Sequence, residues 1–461
     1  MKVIVIGAGS SGLGAVLAAA RRGWQVEVLE ARDIGGGTST TSTKLIHGGV
    51  RYLESAIRRL SYADWKLVRE ALRERAWMLK SHPYLCHPLP ILIPVSNLLE
   101  KAYYGFGMWL YDKLSYPKNI SKPEWLSKAR VYEKFPRLSS GYIGGWQYWD
   151  GHFVDRLYAV HVALFLRQRY GVEIRTHAEV VAVIPRARGV LIQARLKGGE
   201  SHETWGDYVV NATGPWADNL RRRVRPGAES RLRLSRGSHL VLSGDSLPIE
   251  MGFLIPRTRD GRLIFVLPWI EGTVLVGTTD EEVSEPIWPA RVSEAEEEFL
   301  LSHLRQFFDV ERIQVQARFA GYRPLVARKA ASTAKLARTH VVEVWPEERF
   351  VSLMGGKWTT YRQMGEDAIA AIARMAGHRL EAGEEVVSVV PDWSELERYR
   401  REKPQTMAPD LPYTWGEVRF WEDLGWAQDI EDLVAGRWLL PFYDEAKASQ
   451  VRKILAREWK K

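Results

Sequence analysis

The chain has 461 residues, 46% hydrophobic and 26% charged, a balance that suits a globular protein of two or three domains and excludes general disorder. A formal net charge of +9 suits an anionic substrate or an anionic membrane surface, and no nucleic-acid-binding motif accompanies it. The single cysteine, Cys86, excludes an internal disulfide, and no Cys/His cluster has the spacing of a zinc site, so no metal is expected.

The first predicted elements form a β-α-β unit. Residues 2–6 (KVIVI) are predicted as a buried parallel strand, and residues 13–22 as a helix of small residues that packs closely on the sheet. Gly23 is placed to end this helix, and residues 25–29 form the second strand. This order within about 30 residues is the one that a dinucleotide-binding fold requires.

The turn inside this unit carries the pattern Gly7-x-Gly9-x-x-Gly12. Gly7 allows the tight turn, Gly9 lets backbone amides approach a pyrophosphate, and Gly12 allows close packing of helix and strand. Glu30, at the end of the second strand, can accept hydrogen bonds from ribose hydroxyls. The pattern predicts dinucleotide binding but does not distinguish FAD from NAD.

Further along the chain, a polar stretch at 35–43 is either a flexible linker or a loop that wraps a ligand. An aromatic stretch at 101–112 is too short to cross a bilayer but could enter one face of it. The remaining predicted elements are helices at 61–81 and 156–170, strands at 173–185 and 205–210, an antiparallel sheet within 231–319 and a helical region after 365.

The segment from Thr38 to Glu54 is the most informative run of the sequence. It reads TSTTSTKLIHGGVRYLE, and it closely resembles the pattern TSxxSSKLIHGGLRYLE of the FAD-dependent glycerol-3-phosphate dehydrogenases. Other landmarks of that family recur in its order. They are NATGPW (211–216), GSH (237–239), LPW (267–269), GTTD (277–280), GYRPL (321–325) and GGKWTTYR (355–362). The resemblance covers residues 1 to about 370 well and continues more weakly through 413–440.

The resemblance implies an α/β fold, with a Rossmann-type FAD-binding domain of the glutathione-reductase/DAO-like kind, an antiparallel-sheet substrate domain and a C-terminal helical domain. The expected FAD-binding domain is discontinuous and comprises residues 1–85, 145–215 and 330–372. The expected substrate or cap domain comprises residues 86–144 and 216–329, and the helical domain comprises residues 373–461.

The resemblance also implies site residues. Those expected to bind FAD are Gly7, Gly9, Ser11, Gly12, Glu30, Ala31, Thr38, Ser39, Ser42, Lys44, Leu45, Val180, Ala212, Gly214, Gly356, Lys357 and Thr359. Those expected in the substrate pocket or in catalysis are His239, Arg323, Lys357, Arg51, Tyr52, Arg338 and His47. For a single arginine the alternative is a surface ion pair, and for His47 or His239 it is a packed, hydrogen-bonded histidine.

This sequence departs from the family pattern at residues 154–158, where it has VDRLY in place of DDARL. No functional role is assigned to these residues. The implied reaction is oxidation of sn-glycerol 3-phosphate to dihydroxyacetone phosphate by hydride transfer from C2 to flavin N5, with His239 as the first choice of base. Arginine side chains suit the phosphate because a guanidinium binds it in a bidentate manner.

The resemblance favours a quinone as electron acceptor and a cytoplasmic protein attached peripherally to the inner face of the cell membrane, and it allows a homodimer. Three alternatives remain open at the level of sequence. The first is an oxygen-using glycerol-3-phosphate oxidase. The second is an amino-acid or glycine oxidase on the same fold, and the third is a flavin-bearing membrane-surface protein without turnover.

Overall fold

The computed structural model describes residues 1–49, 62–116, 118–256, 258–259, 261–310, 312–327 and 340–459, with backbone only at 62–64 and 66. The helices are α1 (Ser10–Ala20), α2 (Tyr62–Ser81), α3 (Leu98–Ser115), α4 (Lys128–Lys134), α5 (Asp155–Tyr170), α6 (Ala217–Val224), α7 (Glu294–Phe307), α8 (Tyr361–Met375), α9 (Ser394–Glu402), α10 (Trp415–Asp423), α11 (Ile430–Val434) and α12 (Glu445–Glu458). The strands are β1 (Lys2–Ile6), β2 (Gln25–Leu29), β3 (Leu45–Ile46), β4 (Cys86–Val95), β5 (Glu124–Ser127), β6 (Gly144–Phe153), β7 (Glu173–Arg175), β8 (Ala178–Arg186), β9 (Gly189–Leu196), β10 (Ser201–Gly206), β11 (Tyr208–Asn211), β12 (Leu232–Leu242), β13 (Gly252–Ile255), β14 (Ile264–Pro268), β15 (Val274–Gly277), β16 (Glu281–Val283), β17 (Val315–Val326), β18 (His340–Trp345) and β19 (Phe350–Gly355).

Two compact units share this chain. The first comprises Met1–Thr40, Asp155–Leu234 and Arg323–Lys461. The second comprises Thr41–Val154 and Ser235–Tyr322. The predicted bounds of three domains remain a prediction.

The first unit is built on a six-stranded sheet in the order β18-β19-β11-β1-β2-β7. Its strands are parallel except β18, which pairs antiparallel with β19. Strand β1 is apolar and nearly all buried because both faces of such a sheet are covered. A separate antiparallel sheet has the order β10-β9-β8.

The predicted β-α-β unit is confirmed, with both strands at the predicted bounds. Helix α1 begins earlier than predicted, at Ser10, and Gly23 follows its end with a φ of 75°. The small residues of α1 also serve a contact that the sequence did not predict. A Cβ at Gly14 would lie 2.1 Å from the carbonyl oxygen of Tyr361, at the start of α8. Close packing of two helices therefore supports the turn that follows β1.

Two predicted strands are wrong as single elements. The predicted strand at 173–185 divides at His177, whose φ is 52°, because β7 joins the parallel sheet while β8 joins the antiparallel one. The predicted strand at 205–210 divides at Asp207, whose carboxylate accepts a hydrogen bond of 2.7 Å from the Lys2 amide. In both cases the two parts of the predicted strand pair with different strands. Strand β7 pairs with β2 while β8 pairs with β9, and β10 pairs with β9 while β11 pairs with β1.

The second unit contains a sheet in the order β16-β12-β15-β14-β13-β4-β6-β3, with β17 paired to β12 and β5 paired to β6. The antiparallel pairing predicted within 231–319 is confirmed for β12, β13, β14 and β15. One face packs Leu240, Val266 and Phe253 with Leu304 of α7 in a buried core. Cys86 is buried on β4, and burial raises the pKa of its thiol, which disfavours the thiolate.

The predicted helical region after 365 is confirmed, with α8 to α12 in the described residues up to 459. The predicted helix at 61–81 is α2, whose residues Val68 and Leu72 are buried as its apolar stripe requires. The aromatic stretch at 101–112 lies within α3. Within the residues that the structure describes, no helix has the length and apolar character to cross a membrane.

Candidate functional site

The turn between β1 and α1 has the close backbone approaches of a dinucleotide loop. Gly7 has a φ of 106°, and a Cβ there would lie 2.6 Å from the carbonyl oxygen of Ala212. A Cβ at Gly12 would lie 1.8 Å from the carbonyl oxygen of Gly7. At Gly9 the nearest atom to an added Cβ is the Ser39 hydroxyl oxygen, at 2.9 Å, and no backbone atom is closer. The residue just before α1 is therefore a glycine without a side chain of its own. This leaves the backbone N–H groups of the helix N-terminus accessible, as a phosphate site requires.

Glu30 presents a buried carboxylate at the end of β2. Its Oε2 accepts a hydrogen bond of 2.7 Å from the Ala8 amide, and its Oε1 accepts one of 2.9 Å from the Arg32 amide. Burial raises the pKa of this carboxyl group, while the two amide bonds act in the opposite direction. Each oxygen retains a second lone pair, so the carboxylate can still accept hydrogen bonds from a ribose.

A short 3-10 turn at Thr38–Thr40 lies over the start of α1. The Ser10 amide donates a hydrogen bond of 2.9 Å to the Ser39 hydroxyl, and the Trp358 indole donates one of 2.5 Å to the Ser39 carbonyl oxygen. Ser11 lies half-buried in the first turn of α1. These contacts show an ordered turn in this part of the polar stretch, which disfavours a flexible linker, and its contact with a ligand remains a prediction.

The other predicted cofactor residues of the first unit fall mainly at the carboxyl ends of adjacent parallel strands. Ala212 follows β11, and Gly356 follows β19 with a φ of 86°. Lys357 and the buried Thr359 belong to the next turn, and Gly214 has a φ of 58°. Because Gly7 follows β1 and Glu30 follows β2, four neighbouring strands carry predicted cofactor residues at one edge, where this sheet type binds ligands.

Two further predicted cofactor residues lie close to Glu30, since the Ala178 amide at the start of β8 donates a hydrogen bond of 2.8 Å to the Glu30 carbonyl oxygen. Ala31 is exposed directly after Glu30. Val180 is buried on β8, and its carbonyl oxygen accepts a hydrogen bond of 2.6 Å from Arg223. Their contact with a cofactor remains a prediction.

These residues fit the nucleotide part of FAD. A side chain at Gly9 would occupy the space beside the N-terminus of α1, and the Glu30 carboxylate is held by two backbone amides in a fixed position. The polar groups present suit a pyrophosphate and a ribose. Backbone N–H groups at the helix start can donate to the pyrophosphate, and the carboxylate at the strand end can accept from the ribose hydroxyls.

A second cluster forms around Lys44 in the second unit. Lys44 has a φ of 60° and is 2% exposed, and its Nζ lies 4.7 Å from the ring centroid of Phe319 and 5.5 Å from that of Trp269. The His239 ring stacks on Phe319 at a centroid distance of 4.9 Å, and its Nε2 lies 3.0 Å from the Thr43 hydroxyl. The structure thus brings together Lys44 and His239, two residues that the sequence predicts to act on cofactor and substrate.

The strand pairing around His239 explains a neighbouring motif. His239 is directly opposite Gly277 in the β12–β15 pair. A Cβ at Gly277 would lie 2.2 Å from Cδ2 of the His239 ring. The first glycine of the GTTD segment is therefore required to make room for the histidine ring.

The segment after Lys44 is held by buried polar groups. Leu45 pairs with His152 in the β3–β6 ladder, and the Lys44 amide donates a hydrogen bond of 3.0 Å to the Ser42 hydroxyl. The Gly48 amide, next to the half-buried His47, donates a hydrogen bond of 2.9 Å to the Tyr111 hydroxyl. The backbone beside His47 is thus fixed by a buried tyrosine of α3.

Tyr111 is part of an ionic network that the sequence did not predict. Asp150 accepts a hydrogen bond of 2.8 Å from Tyr111 and forms a salt bridge of 2.6 Å with Arg75, and all three side chains are buried. No motif signals this network, because Arg75 and Asp150 belong to α2 and β6 and are 75 positions apart.

The remaining predicted catalytic residues divide as follows. Arg323 lies half-buried on β17, and Lys357 lies half-buried at the start of the Trp358–Thr360 turn. Arg51, Tyr52 and Arg338 lie outside the described residues. The catalytic roles assigned to these side chains remain predictions.

Comparison with known proteins decides the family. Residues 2–362 match the model of the family described as FAD dependent oxidoreductase (DAO). The chain belongs to this family. The prediction of FAD as cofactor and the predicted fold class are thereby confirmed.

Proteins similar in sequence to this chain are named glycerol-3-phosphate dehydrogenases. The chain is 38% identical over 392 residues to a probable mitochondrial glycerol-3-phosphate dehydrogenase of Dictyostelium discoideum, an alignment that covers 80% of this chain and 60% of that protein. It therefore spans less than two thirds of that relative's length. This similarity agrees with the resemblance predicted from the sequence motifs.

Solved structures share the fold. The glycerol-3-phosphate dehydrogenase of Bacillus halodurans complexed with FAD superposes with a TM-score of 0.78 at 22% identity, over 99% of this chain and 89% of that one. The L-alpha-glycerophosphate oxidase of Mycoplasma pneumoniae with FAD bound gives a TM-score of 0.63 at 18% identity, over 80% of this chain and 94% of that one.

Proposed function

We propose that this FAD-dependent oxidoreductase oxidises sn-glycerol 3-phosphate to dihydroxyacetone phosphate. The observation that carries the proposal is the 38% identity to the Dictyostelium discoideum relative across most of this chain. The cluster of the half-buried Thr43 with the buried Lys44 and His239 supports it, because it joins the run at 38–54 with the GSH segment, the two motifs expected at the substrate.

The side chains of this cluster suit the chemistry. When bound, FAD would supply the acceptor of the two electrons that leave C2 of the substrate as a hydride. His239 is proposed to accept the C2 hydroxyl proton at Nε2; because the Thr43 hydroxyl lies 3.0 Å from that nitrogen, the substrate hydroxyl must replace this hydrogen bond before the proton moves. Lys44, buried against aromatic rings, favours anionic groups nearby when its ammonium is protonated.

Arginine and lysine side chains of the first unit are also proposed to act on the substrate, by resemblance to the family. Arg323 and Lys357 stabilise the developing oxyanion and the phosphate, because a guanidinium and an ammonium both favour the anionic form. Arg51, Tyr52 and Arg338 are proposed to contribute phosphate contacts, by resemblance to the family. Several cations at the substrate would favour a phosphate over a carboxylate, because the carboxylate carries less charge.

Substitution of Arg323, on β17, tests its proposed contact with the substrate. Arg323→Ala is expected to lower kcat/KM for glycerol 3-phosphate roughly 30-fold, which corresponds to about 2 kcal/mol for a lost charge-assisted contact. Steady-state kinetics with a dye acceptor measure this.

Arg318→Ala is the matched control on the same strand. Arg318 is exposed and pairs with Glu297 at 2.6 Å, a surface contact that contributes little. Equal kcat/KM values for Arg323→Ala and the wild type would remove Arg323 from the pocket.

Anaerobic reduction tests the proposed function itself. Purified yellow protein is mixed without oxygen with glycerol 3-phosphate, glycine or other amino acids, and the visible flavin absorbance is followed. Bleaching by glycerol 3-phosphate alone is expected, and bleaching by amino acids alone would favour the amino-acid or glycine oxidase. A flavin that none of these compounds reduces would favour a surface protein without turnover.

The reduced protein then identifies the electron acceptor. We propose a membrane quinone as the acceptor. The alternative is oxygen, because the Mycoplasma pneumoniae protein with a similar fold is an oxidase. Rapid reoxidation by a soluble quinone and slow reoxidation by air is the expected result. The reverse order of rates would assign the chain as an oxidase.

We propose that the protein attaches peripherally to the inner face of the cell membrane through helix α3. Its exposed apolar residues share one face, opposite the buried Met108, Tyr111 and Ser115. That exposed face is formed by Leu98 (74% exposed), Leu99 (84%), Tyr103 (49%), Phe106 (56%) and Trp109 (53%). An exposed apolar face with aromatic side chains, flanked by the exposed Lys113 and Lys118, suits an anionic lipid surface.

Charge substitutions on that face test the lipid contact. Phe106→Glu combined with Trp109→Glu is expected to lower co-sedimentation with phosphatidylglycerol-containing vesicles at least tenfold, because each carboxylate resists transfer into lipid. Binding of the wild type is expected to weaken as salt rises.

Trp205→Glu is the control for the lipid experiment. Trp205 is 50% exposed on β10 of the other unit, so its loss removes a comparable aromatic surface outside α3. If Trp205→Glu reduces vesicle binding as much as the α3 variant does, the contact is a general property of exposed aromatic groups and the assignment to α3 is incorrect.

A further inference from the structure

A buried ion pair joins the C-terminal segment to the loop after β2. Arg437 forms a bidentate salt bridge with Asp33, with Nη1–Oδ2 at 2.8 Å and Nη2–Oδ1 at 2.9 Å. The Arg437 side chain is 2% exposed and the Asp33 side chain 8% exposed. Arg437 also donates a hydrogen bond of 2.9 Å to the Trp426 carbonyl oxygen, which fixes its own position.

A second arginine binds the other end of the same loop. Arg156 of α5 donates a hydrogen bond of 3.1 Å to the Thr40 hydroxyl, and its Nη1 lies 3.8 Å from Asp33 Oδ2. Thr40 is 2% exposed. Arg156 falls in the stretch where the sequence departs from the family pattern. The segment from Asp33 to Thr40 is therefore held at both ends by guanidinium groups, that of the buried Arg437 and that of the half-buried Arg156.

This segment lies against the dinucleotide turn. The Gly35 amide donates a hydrogen bond of 3.1 Å to the Ala8 carbonyl oxygen, and the Ser39 hydroxyl accepts one of 2.9 Å from the Ser10 amide. A shift of the segment would therefore move groups that touch both the turn after β1 and the first residue of α1.

The C-terminal segment approaches the loop closely. A Cβ at Gly436, next to Arg437, would lie 2.7 Å from Asp33 Oδ2. Both residues follow α11 and come after residue 362, where the match to the family model ends. The contact is thus made by a part of the chain that the shared FAD-dependent domain does not include.

We propose that Arg437, Arg156 and Asp33 form a clamp that positions the 33–40 loop over the cofactor, so that retention of FAD depends on the C-terminal segment. Arg437 acts here as a positioning residue and does not take part in the chemistry. Loss of Arg437 leaves the Asp33 carboxylate with only the longer contact to Arg156 at 3.8 Å, which destabilises the present position of the loop.

The release rate of FAD from the diluted holoenzyme tests the clamp. Free FAD fluoresces more strongly than bound FAD, so release is followed directly at a temperature well below the melting midpoint of each variant. Arg437→Gln is expected to release FAD at least tenfold faster than the wild type. Arg437→Lys, which keeps the charge but cannot bind in a bidentate manner, is expected to lie between the two.

The double variant Asp33→Asn with Arg437→Gln separates positioning from charge. It leaves no uncompensated carboxylate at residue 33, yet it also lacks the bidentate bridge, so FAD release is expected to remain faster than in the wild type. Arg452→Gln is the control, because its pairs with Glu431 at 2.6 Å and Glu445 at 2.7 Å lie on the surface of the same segment. That variant is expected to release FAD at the wild-type rate.

A lower melting midpoint with an unchanged rate of FAD release in Arg437→Gln would overturn the clamp and leave a purely stabilising ion pair. If Arg437→Gln does not fold, the rates of Arg437→Lys and Arg156→Gln decide instead, and wild-type release from both would equally contradict the proposal. None of these measurements uses glycerol 3-phosphate, so they stand apart from the test of the proposed reaction.

Discussion

Replacing Gly9 with leucine is expected to give a folded protein that carries no flavin. Among the described residues, an added Cβ here meets the Ser39 side chain, whose hydroxyl oxygen lies 2.9 Å away and must shift, and it meets no backbone atom outside the chain neighbours and the helix itself within 4 Å, so the fold is expected to be retained. A larger side chain would instead fill the space at the start of α1, where the pyrophosphate must approach the backbone amides. The ratio of visible flavin absorbance to protein absorbance measures the loss, and far-ultraviolet circular dichroism confirms that the fold is retained.

Gly107→Leu is the matched control for this prediction. A Cβ at Gly107 meets no atom within 4 Å, and the residue lies in the middle of α3. This variant is expected to keep its full flavin content. A yellow Gly9→Leu protein with wild-type FAD occupancy would show that the cofactor does not approach the turn after β1.

The sequence predicted the dinucleotide turn well because its determinants are local. The strand, the three glycines, the helix and Glu30 lie within about 30 residues, and each is required by geometry that its neighbours impose. The close approach of Gly12 to Gly7 and the two amide bonds to Glu30 follow from that order. What the sequence did not reveal in this region is the contact of Gly14 with α8, which joins residues far apart in the chain.

The clamp shows why the rest was beyond prediction. Asp33 and Arg437 are separated by 404 positions, and neither belongs to a periodic pattern or a family motif. The sequence around Arg156 was recognised only as a departure from the family. A charged residue in a sequence is most often exposed, so only the fold can identify the few that are buried and paired.

The cluster around Lys44 was predicted in part. The family resemblance pointed to Lys44 and His239, but it gave no indication of Thr43, Phe319 or Trp269 as their neighbours. Phe319 resembles an ordinary core aromatic in sequence, and Trp269 belongs to the LPW landmark, to which no role was assigned. Their proximity to a buried ammonium becomes evident only when the antiparallel sheet brings strands from distant parts of the chain together.

His239→Gln is expected to lower kcat at least ~100-fold while FAD content and melting midpoint stay close to those of the wild type. Glutamine can still form a hydrogen bond with the Thr43 hydroxyl, which lies 3.0 Å from Nε2, but it cannot accept a proton from the substrate. The rate of anaerobic flavin bleaching at saturating glycerol 3-phosphate measures the effect directly, because that rate does not depend on the electron acceptor.

His303→Gln provides the control, because His303 is equally buried in the same unit and serves a structural contact, accepting a hydrogen bond of 3.1 Å from the Arg259 amide. Its bleaching rate is expected to match that of the wild type. A His239→Gln variant in which only KM rises would assign His239 to substrate binding. An unchanged bleaching rate would exclude His239 as the base and direct the search to other proton acceptors beside the substrate.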